Sequence, residues 1–215
     1  MRVVSVNVSP GRVVTWQGRP ITTGIFKEPV EERVGIRETG LDGDRQADRA
    51  VHGGPFKAVY AYSLEHYHWW QEQLRMELYP GSFGENLTIR DFPEDQVAVG
   101  DVFQLGTARL QAVQPRLPCF KLGIRFGTQR VVKQFLQSGR FGIYFRVLEE
   151  GEVAAGDALK WLHRDPRQVP VPSLVRLLQP ATFDRALAES AAELPSLPPE
   201  WRELLTERAG LAGMR

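Results

Sequence analysis

The stretch QPRLPCFKL, residues 114–122, gathers the side chains best suited to chemistry. Cys119 is the only cysteine of the 215-residue chain, and Arg116 and Lys121 place two cations close to its thiol. Pro115 and Pro118 restrict the backbone on either side of Arg116. Nearby cations in a turn-to-helix setting lower a cysteine pKa and make the sulfur a nucleophile or a soft-metal ligand. A cysteine in a soluble chain also serves as a small, inert, buried hydrophobe, and the residues alone leave both readings open. A single cysteine excludes an intramolecular disulfide and agrees with a reducing compartment.

The second candidate region is GLDGDRQADRAVHGG, residues 40–54. It offers Asp42, Asp44, Arg45, Asp48, Arg49 and His52, then Gly53, Gly54 and Lys57. Glycines allow a ligand to approach the backbone, and amides with Arg and Lys make a phosphate cradle. The order required for GxxxxGK[ST] or GxGxxG is absent, which excludes a P-loop and a dinucleotide fingerprint. The aspartates lack the twelve-residue calcium-loop pattern and its final Glu. His66 and His68, two residues apart on an expected helix, point to different faces, and with His163 they supply no structural zinc site. No GxSxG elbow for a serine nucleophile occurs.

Charge is distributed unevenly although the net value is only +1. Between Asp101 and Glu149 there is no acidic residue, while Arg109, Arg116, Lys121, Arg125, Arg130, Lys133, Arg140 and Arg146 fall there. Such a segment either raises a positive potential that attracts an anionic ligand or is neutralised by carboxylates from elsewhere in the chain. The near-neutral total and the lack of any known DNA- or RNA-reading motif argue against a nucleic-acid interface.

The elements that must position these residues read as mainly β. Strands are expected over roughly 2–8, 12–16, 21–26 and 57–62, and again over residues 107–114 and FGIYFRVLEEG. A helix runs from an N-cap at Ser63 to about Met76, and a short one contains residues 128–137. Many short strands with few helices predict a strongly curved antiparallel β-barrel with peripheral helices over residues 1–165. Three prolines in residues 166–172 form a stiff linker, and residues 173–215 carry three helical patterns in Leu174, Leu177 and Leu178, Phe183 to Leu187, and Trp201 to Leu205. The apolar fraction of 42% with 25% charge is that of a soluble globular chain, and the N-terminus lacks the long apolar run of a signal peptide. No apolar run reaches membrane-spanning length, so a cytoplasmic location is expected.

Six ordered blocks, GLDGDRQADRAVHGG, KAVYAYSLEHYHWW, GSFGENLTI, VAVGDVFQLG, QPRLPCFKL and SGRFGIYFRVLEEGEVAAGD, together resemble the MOSC family and its YiiM-type branch. The helical tail is similar to the three-helix module that ends YiiM-type chains. One departure is Phe56, where the family usually has an acidic residue. The resemblance implies a curved β-barrel whose cationic cleft holds a mononuclear molybdenum pyranopterin cofactor, with Cys119 as the metal ligand. It implies contacts to the cofactor's phosphate and pterin from Arg116, Lys121, Arg45, Lys57 and Arg140, with Gly53 and Gly54 beside them, and His52 as proton donor. The implied reaction is two-electron reduction of N-hydroxylated compounds, such as N-hydroxylaminopurines, to amines. Electrons would come from a separate flavin or iron–sulfur protein, since one cysteine cannot hold a cluster. Detoxification and pyridoxal phosphate binding also travel with the family's description. The alternative is a sulfur carrier or cofactor-handling protein with a persulfide on Cys119.

Overall fold

The computed structural model describes residues 1–45 and 53–210. His52, Asp48 and Arg49 lie outside the described residues.

The strand expected over residues 2–8 becomes β1 (Arg2–Val8), where a register shift between Val3 and Ser5 lets both Val3 and Val6 enter the core. Buried Ser5 and Asn7 are tolerated because they are satisfied. Ser5 Oγ donates to Asn7 Oδ1 at 2.7 Å, and Asn7 Nδ2 donates to Thr88 Oγ1 at 3.2 Å. Next come β2 (Arg12–Trp16) and β3 (Arg19–Thr23), a hairpin turned at Gln17-Gly18. Both turn residues have positive φ, at 50° and 75°, and the twist of such a turn matches paired strands.

The remaining strands are β4 (Glu28–Val30), β5 (Val34–Arg37), β6 (Gly40–Leu41), β7 (Val59–Ser63), β8 (Leu87–Arg90), β9 (Val102–Leu105), β10 (Ala108–Pro115), β11 (Ile143–Glu149), β12 (Gly151–Val153) and β13 (Leu159–His163). Among the described residues seven of them join β1 in one sheet of order β13-β9-β10-β11-β7-β8-β1-β4, and β12-β5-β6 form a second. The fold is therefore mixed α/β, with a large sheet and several helices.

Two features depart from the expected antiparallel barrel. First, β7 and β8 run parallel, because α1 (Glu65–Leu74) crosses over between them. Parallel neighbours need a long crossover rather than a tight turn, and this segment supplies one. Second, the ladders among the described residues run from β13 to β4 without closing. A single bridge, Arg2 to Ala158, joins the start of β1 to the residue before β13.

Ser63 is not the cap expected for α1. It ends β7, its amide donates to Glu94 Oε1 at 2.8 Å, and Leu64 takes the cap position without a side-chain bond. The helix stops at Arg75, whose φ of 52° breaks the right-handed path one residue before Met76.

Five further helices follow: α2 (Phe120–Arg125), α3 (Arg130–Ser138), α4 (Ser173–Arg176), α5 (Arg185–Ala192) and α6 (Pro199–Arg208). The carboxylate of Asp184 caps α5 by accepting from the Leu187 amide at 3.0 Å. Residues 166–172 hydrogen-bond to the segment before β9. The Val99 amide donates to Val169 O and the Val171 amide to Val97 O, both at 2.8 Å. Leu174, Leu177, Ala188, Leu197, Trp201 and Leu205 belong to the same apolar cluster as the sheet residues Val6, Leu110 and Phe145. Among the described residues no helix is long and apolar enough to cross a membrane.

Candidate active site

Strand β10 ends at Pro115, and the chain then turns inward at Arg116 before α2 begins at Phe120. Cys119 occupies the N-cap position of α2, half-buried, with its side chain making no capping bond. Together with Arg116, Leu117 and Lys121 it lines a cavity of about 100 Å³. The opposite walls come from Thr23, Gly24, Ile25 and Lys27 after β3, from Asp44 and Arg45 after β6, from Lys57, and from Gly84 and Asn86 before β8. Tyr60 of β7 and Tyr144 of β11 complete it.

The cavity is cationic. Among the described residues that line it are Lys27, Arg45, Lys57, Arg116 and Lys121, against the single carboxylate of Asp44. That carboxylate is already engaged. It pairs with Lys27, whose side chain is 9% exposed, and accepts from Asn86 Nδ2 and the Ser9 amide, both at 2.9 Å. Burial holds the Lys27 ammonium below its ordinary range, with Asp44 opposing.

Arg116 carries the strongest signal. It is 6% exposed, and its Nη1 has no hydrogen-bond partner. Its guanidinium lies 5.2 Å from the Tyr60 ring centre and 5.3 Å from that of Phe135. Burial opposes its charge, but the neighbouring Tyr60, Tyr144 and Cys119 outweigh that, so the group stays cationic. A buried cation without a hydrogen bond at one nitrogen, facing a cavity, is a site built to receive an anion.

Aromatic packing fixes this arrangement from behind. Tyr60 and Tyr144 are register partners on β7 and β11, their ring centres 5.1 Å apart. Burial pushes both phenols up, so they are neutral near pH 7. Tyr62, Tyr67, Trp70, Phe83 and Phe135 form a second core against them. Within it the fully buried Glu85 accepts from Tyr67 Oη, Thr88 Oγ1 and the Gly81 and Phe83 amides. This network holds the turn that delivers Gly84 and Asn86 to the cavity wall.

Backbone approaches closely at Gly24. A Cβ there would sit 2.3 Å from the Arg45 carbonyl oxygen, so only glycine lets the segment after β3 meet the segment after β6. This contact brings Arg45 to the cavity.

Of the residues singled out from the sequence, Cys119, Arg116, Lys121, Arg45 and Lys57 line one cavity. Gly53 and Gly54 precede the 3₁₀ turn Pro55–Lys57, and Gly54, with φ of 89°, opens it. Arg140 is placed elsewhere: its guanidinium lies 4.2 Å from the Trp69 ring centre and donates to Ser138 O. The acid-free segment does not share one surface either, since Arg109 pairs with Glu149 at 2.8 Å and Arg146 lies over Phe56. Lys27, Asn86, Tyr60 and Tyr144 were not singled out as site residues. Only strand pairing puts Tyr144 beside Tyr60.

A larger hollow of about 450 Å³ lies beside α1, lined by Glu65, His66, Asp91, Glu94 and Asp95 among others. It is acidic, and the buried Glu94 is satisfied by the Ser63 and Gly142 amides and by His66 at 3.2 Å. It lacks the unmatched cation that distinguishes the first cavity.

Residues 48–160 match the MOSC domain. The chain belongs to the MOSC domain family. It is 43% identical over 169 residues to the uncharacterized protein YflK of Bacillus subtilis, covering 79% of this chain and 76% of that one. The crystal structure of YiiM from Geobacillus stearothermophilus superposes with a TM-score of 0.81 at 32% identity, covering 97% and 98% of the two chains. A protein named reductase from Gibberella moniliformis is 33% identical over 197 residues, which is 89% of this MOSC chain but 35% of that longer protein.

The cavity can be tested against the molybdenum cofactor associated with the family. Among the described residues no three His, Cys, Asp or Glu side chains converge as a metal site. A pterin-bound metal brings ligands of its own, and Cys119 would then serve as its protein donor. The orphaned Arg116 Nη1 and the cations around it suit a phosphorylated, anionic group. The residues fit.

Proposed function

We propose that this protein is a molybdenum-cofactor-dependent reductase of N-hydroxylated compounds, N-hydroxylaminopurines among them. The observation that carries the reading is Cys119 on the wall of a cavity whose buried Arg116 has an unmatched donor. Cys119 would supply the soft thiolate donor, and Arg116, Lys121, Lys57 and Arg45 would hold the anionic parts of the cofactor. When bound, that group supplies the two-electron chemistry.

The chain's own contribution is position and charge. The substrate R–NHOH takes up two electrons and two protons, its N–O bond breaks, and R–NH₂ and water leave. Lys121, Lys57 and Arg45 offset negative charge that develops as the N–O bond opens. The neutral Tyr144 hydroxyl, at the cavity wall, orients the substrate oxygen by hydrogen bonding. His52 remains the proposed proton donor. Electrons come from a separate flavin or iron–sulfur protein, and the setting is cytoplasmic.

Protein purified from a cofactor-competent host is expected to contain molybdenum and to reduce an N-hydroxylaminopurine with a chemical electron donor. Metal-free protein whose Cys119 peptide carries one extra sulfur would replace this reading with the persulfide carrier. Pyridoxal phosphate would meet the same cations, and its absorbance in the purified protein separates it from molybdenum.

A further inference from the structure

Beside the cavity, two arginines meet on one aromatic ring. The Arg12 guanidinium lies 3.5 Å from the ring centre of Phe26, and the Arg125 guanidinium 5.4 Å from it. They come from different elements, Arg12 from the start of β2 and Arg125 from the end of α2. Neither makes an ion pair or a side-chain hydrogen bond among the described residues, and Arg125 Nε is buried without a partner. Burial and the field of Arg12 both hold Arg125 below its ordinary range. The carboxylates whose fields reach it do not neutralise it, for Glu85 is buried and taken up by four donors and Glu28 makes no pair with it.

Two guanidiniums without ion pairs among the described residues, Arg125 half-buried and Arg12 exposed, repel each other, and the arrangement is stabilised when an anion bridges them. The ring supports both cations from their apolar faces and leaves the N–H edges for a ligand. The location is continuous with the cavity. Arg12 is the register partner of Thr23, Phe26 stands between Ile25 and Lys27, and all three of those neighbours line the cavity. A Cβ at Gly11, preceding Arg12, would lie 3.6 Å from the Arg45 side chain, so the two segments run side by side there.

We propose that Arg12 and Arg125 form a phosphate-monoester subsite at the rim of the cavity. A doubly charged phosphate matches two forked guanidiniums better than a carboxylate does. The phosphate can belong to a nucleotide-like substrate or to a cofactor that fills the cavity behind it. Only the first use, selection of phosphorylated N-hydroxylamines, rests on the reductase reading above; the subsite itself does not.

The test is calorimetric titration of the whole chain, cofactor-loaded and cofactor-free, with adenosine monophosphate, adenosine and inorganic phosphate. The monophosphate is expected to bind at least about tenfold more tightly than adenosine, and R12Q and R125Q each to lose about tenfold or more, while R130Q, at an exposed position, changes nothing. Pterin content separates the sources. Unchanged pterin in R12Q and R125Q with lost monophosphate binding assigns the site to a substrate phosphate. Pterin loss in both variants, with monophosphate binding only to cofactor-free protein, assigns it to the cofactor phosphate. Wild-type phosphate affinity and wild-type pterin content in R12Q overturn the proposal, and because Arg12 is exposed that outcome does not depend on whether R125Q folds. Binding is read without turnover, so failure to reduce an N-hydroxylamine would count against the reductase reading alone.

Discussion

Trp201 Nε1 donates to Gln114 Oε1 at 2.8 Å, and Gln114 Nε2 donates in turn to the Phe56 carbonyl at 3.0 Å. The C-terminal helix α6 is thereby linked, through one buried amide, to the strand that ends beside Arg116 and to the turn that bears Lys57. Trp201→Phe keeps most of the packing and leaves Gln114 Oε1 unpaired. The expected loss is about 1–3 kcal/mol, or a melting temperature lower by several degrees at roughly 2–4 °C per kcal/mol. An unchanged Tm would show that the link adds nothing to stability.

Cys119 stands at a helix cap without a capping bond, so its replacement should spare the fold. Cys119→Ala is expected to shift stability by less than about 1 kcal/mol while removing bound molybdenum and hydroxylamine reduction. Elemental analysis beside a thermal melt reads both. Full metal content in the variant would remove the thiolate ligand from the mechanism.

Arg116 trades stability for binding. A buried guanidinium with an unmatched nitrogen is costly without its anion, so Arg116→Met should melt at the same temperature or higher in cofactor-free protein. The same variant should retain at least about tenfold less pterin, given the loss of a charge-assisted contact. A strong destabilisation would mean that the arginine serves the fold rather than the ligand.

At Gly24 a methyl group would meet the Arg45 carbonyl oxygen at 2.3 Å. Gly24→Ala should cost about 1–3 kcal/mol through overpacking and should displace the Arg45 segment from the cavity. Reduced stability together with weakened anion binding is the expected pair of readouts.

Asp157 supplies a pH dependence of known sign. Its hydrogen bond to Arg33, with the ion pair at 2.9 Å, holds its carboxyl below the ordinary aspartate range. A depressed folded-state pKa contributes stability that is present above the unfolded value and lost as pH falls through the folded one. The stability gap between wild type and Asp157→Asn should therefore be larger near pH 7 and close near pH 3 and below. Denaturation curves across that range test it, and a gap that widens on acidification would contradict the assignment.

The sequence by itself determined much of this protein. Alternation and turn residues place β1 and β2 at their observed bounds, because those signals are local and a half-buried strand must alternate. The thiol, its flanking cations and the family blocks pointed to Cys119, Arg116, Lys121, Arg45 and Lys57 without any contact being known. What the sequence could not decide depends on residues far apart in the chain. Whether β7 and β8 pair parallel or antiparallel is a property of the crossover's path, and the strand order of the large sheet is a property of the whole chain's packing. Tyr144 meets Tyr60 only through register, Arg140 turns to Trp69 instead of the cavity, and Arg12 and Arg125 come together only because β2 and α2 each bring a guanidinium to the Phe26 ring. Charge is written in the chain, but whether a charge is matched is settled by what burial and packing bring next to it. The tertiary structure leaves Arg116 and Arg125 each with an unmatched nitrogen.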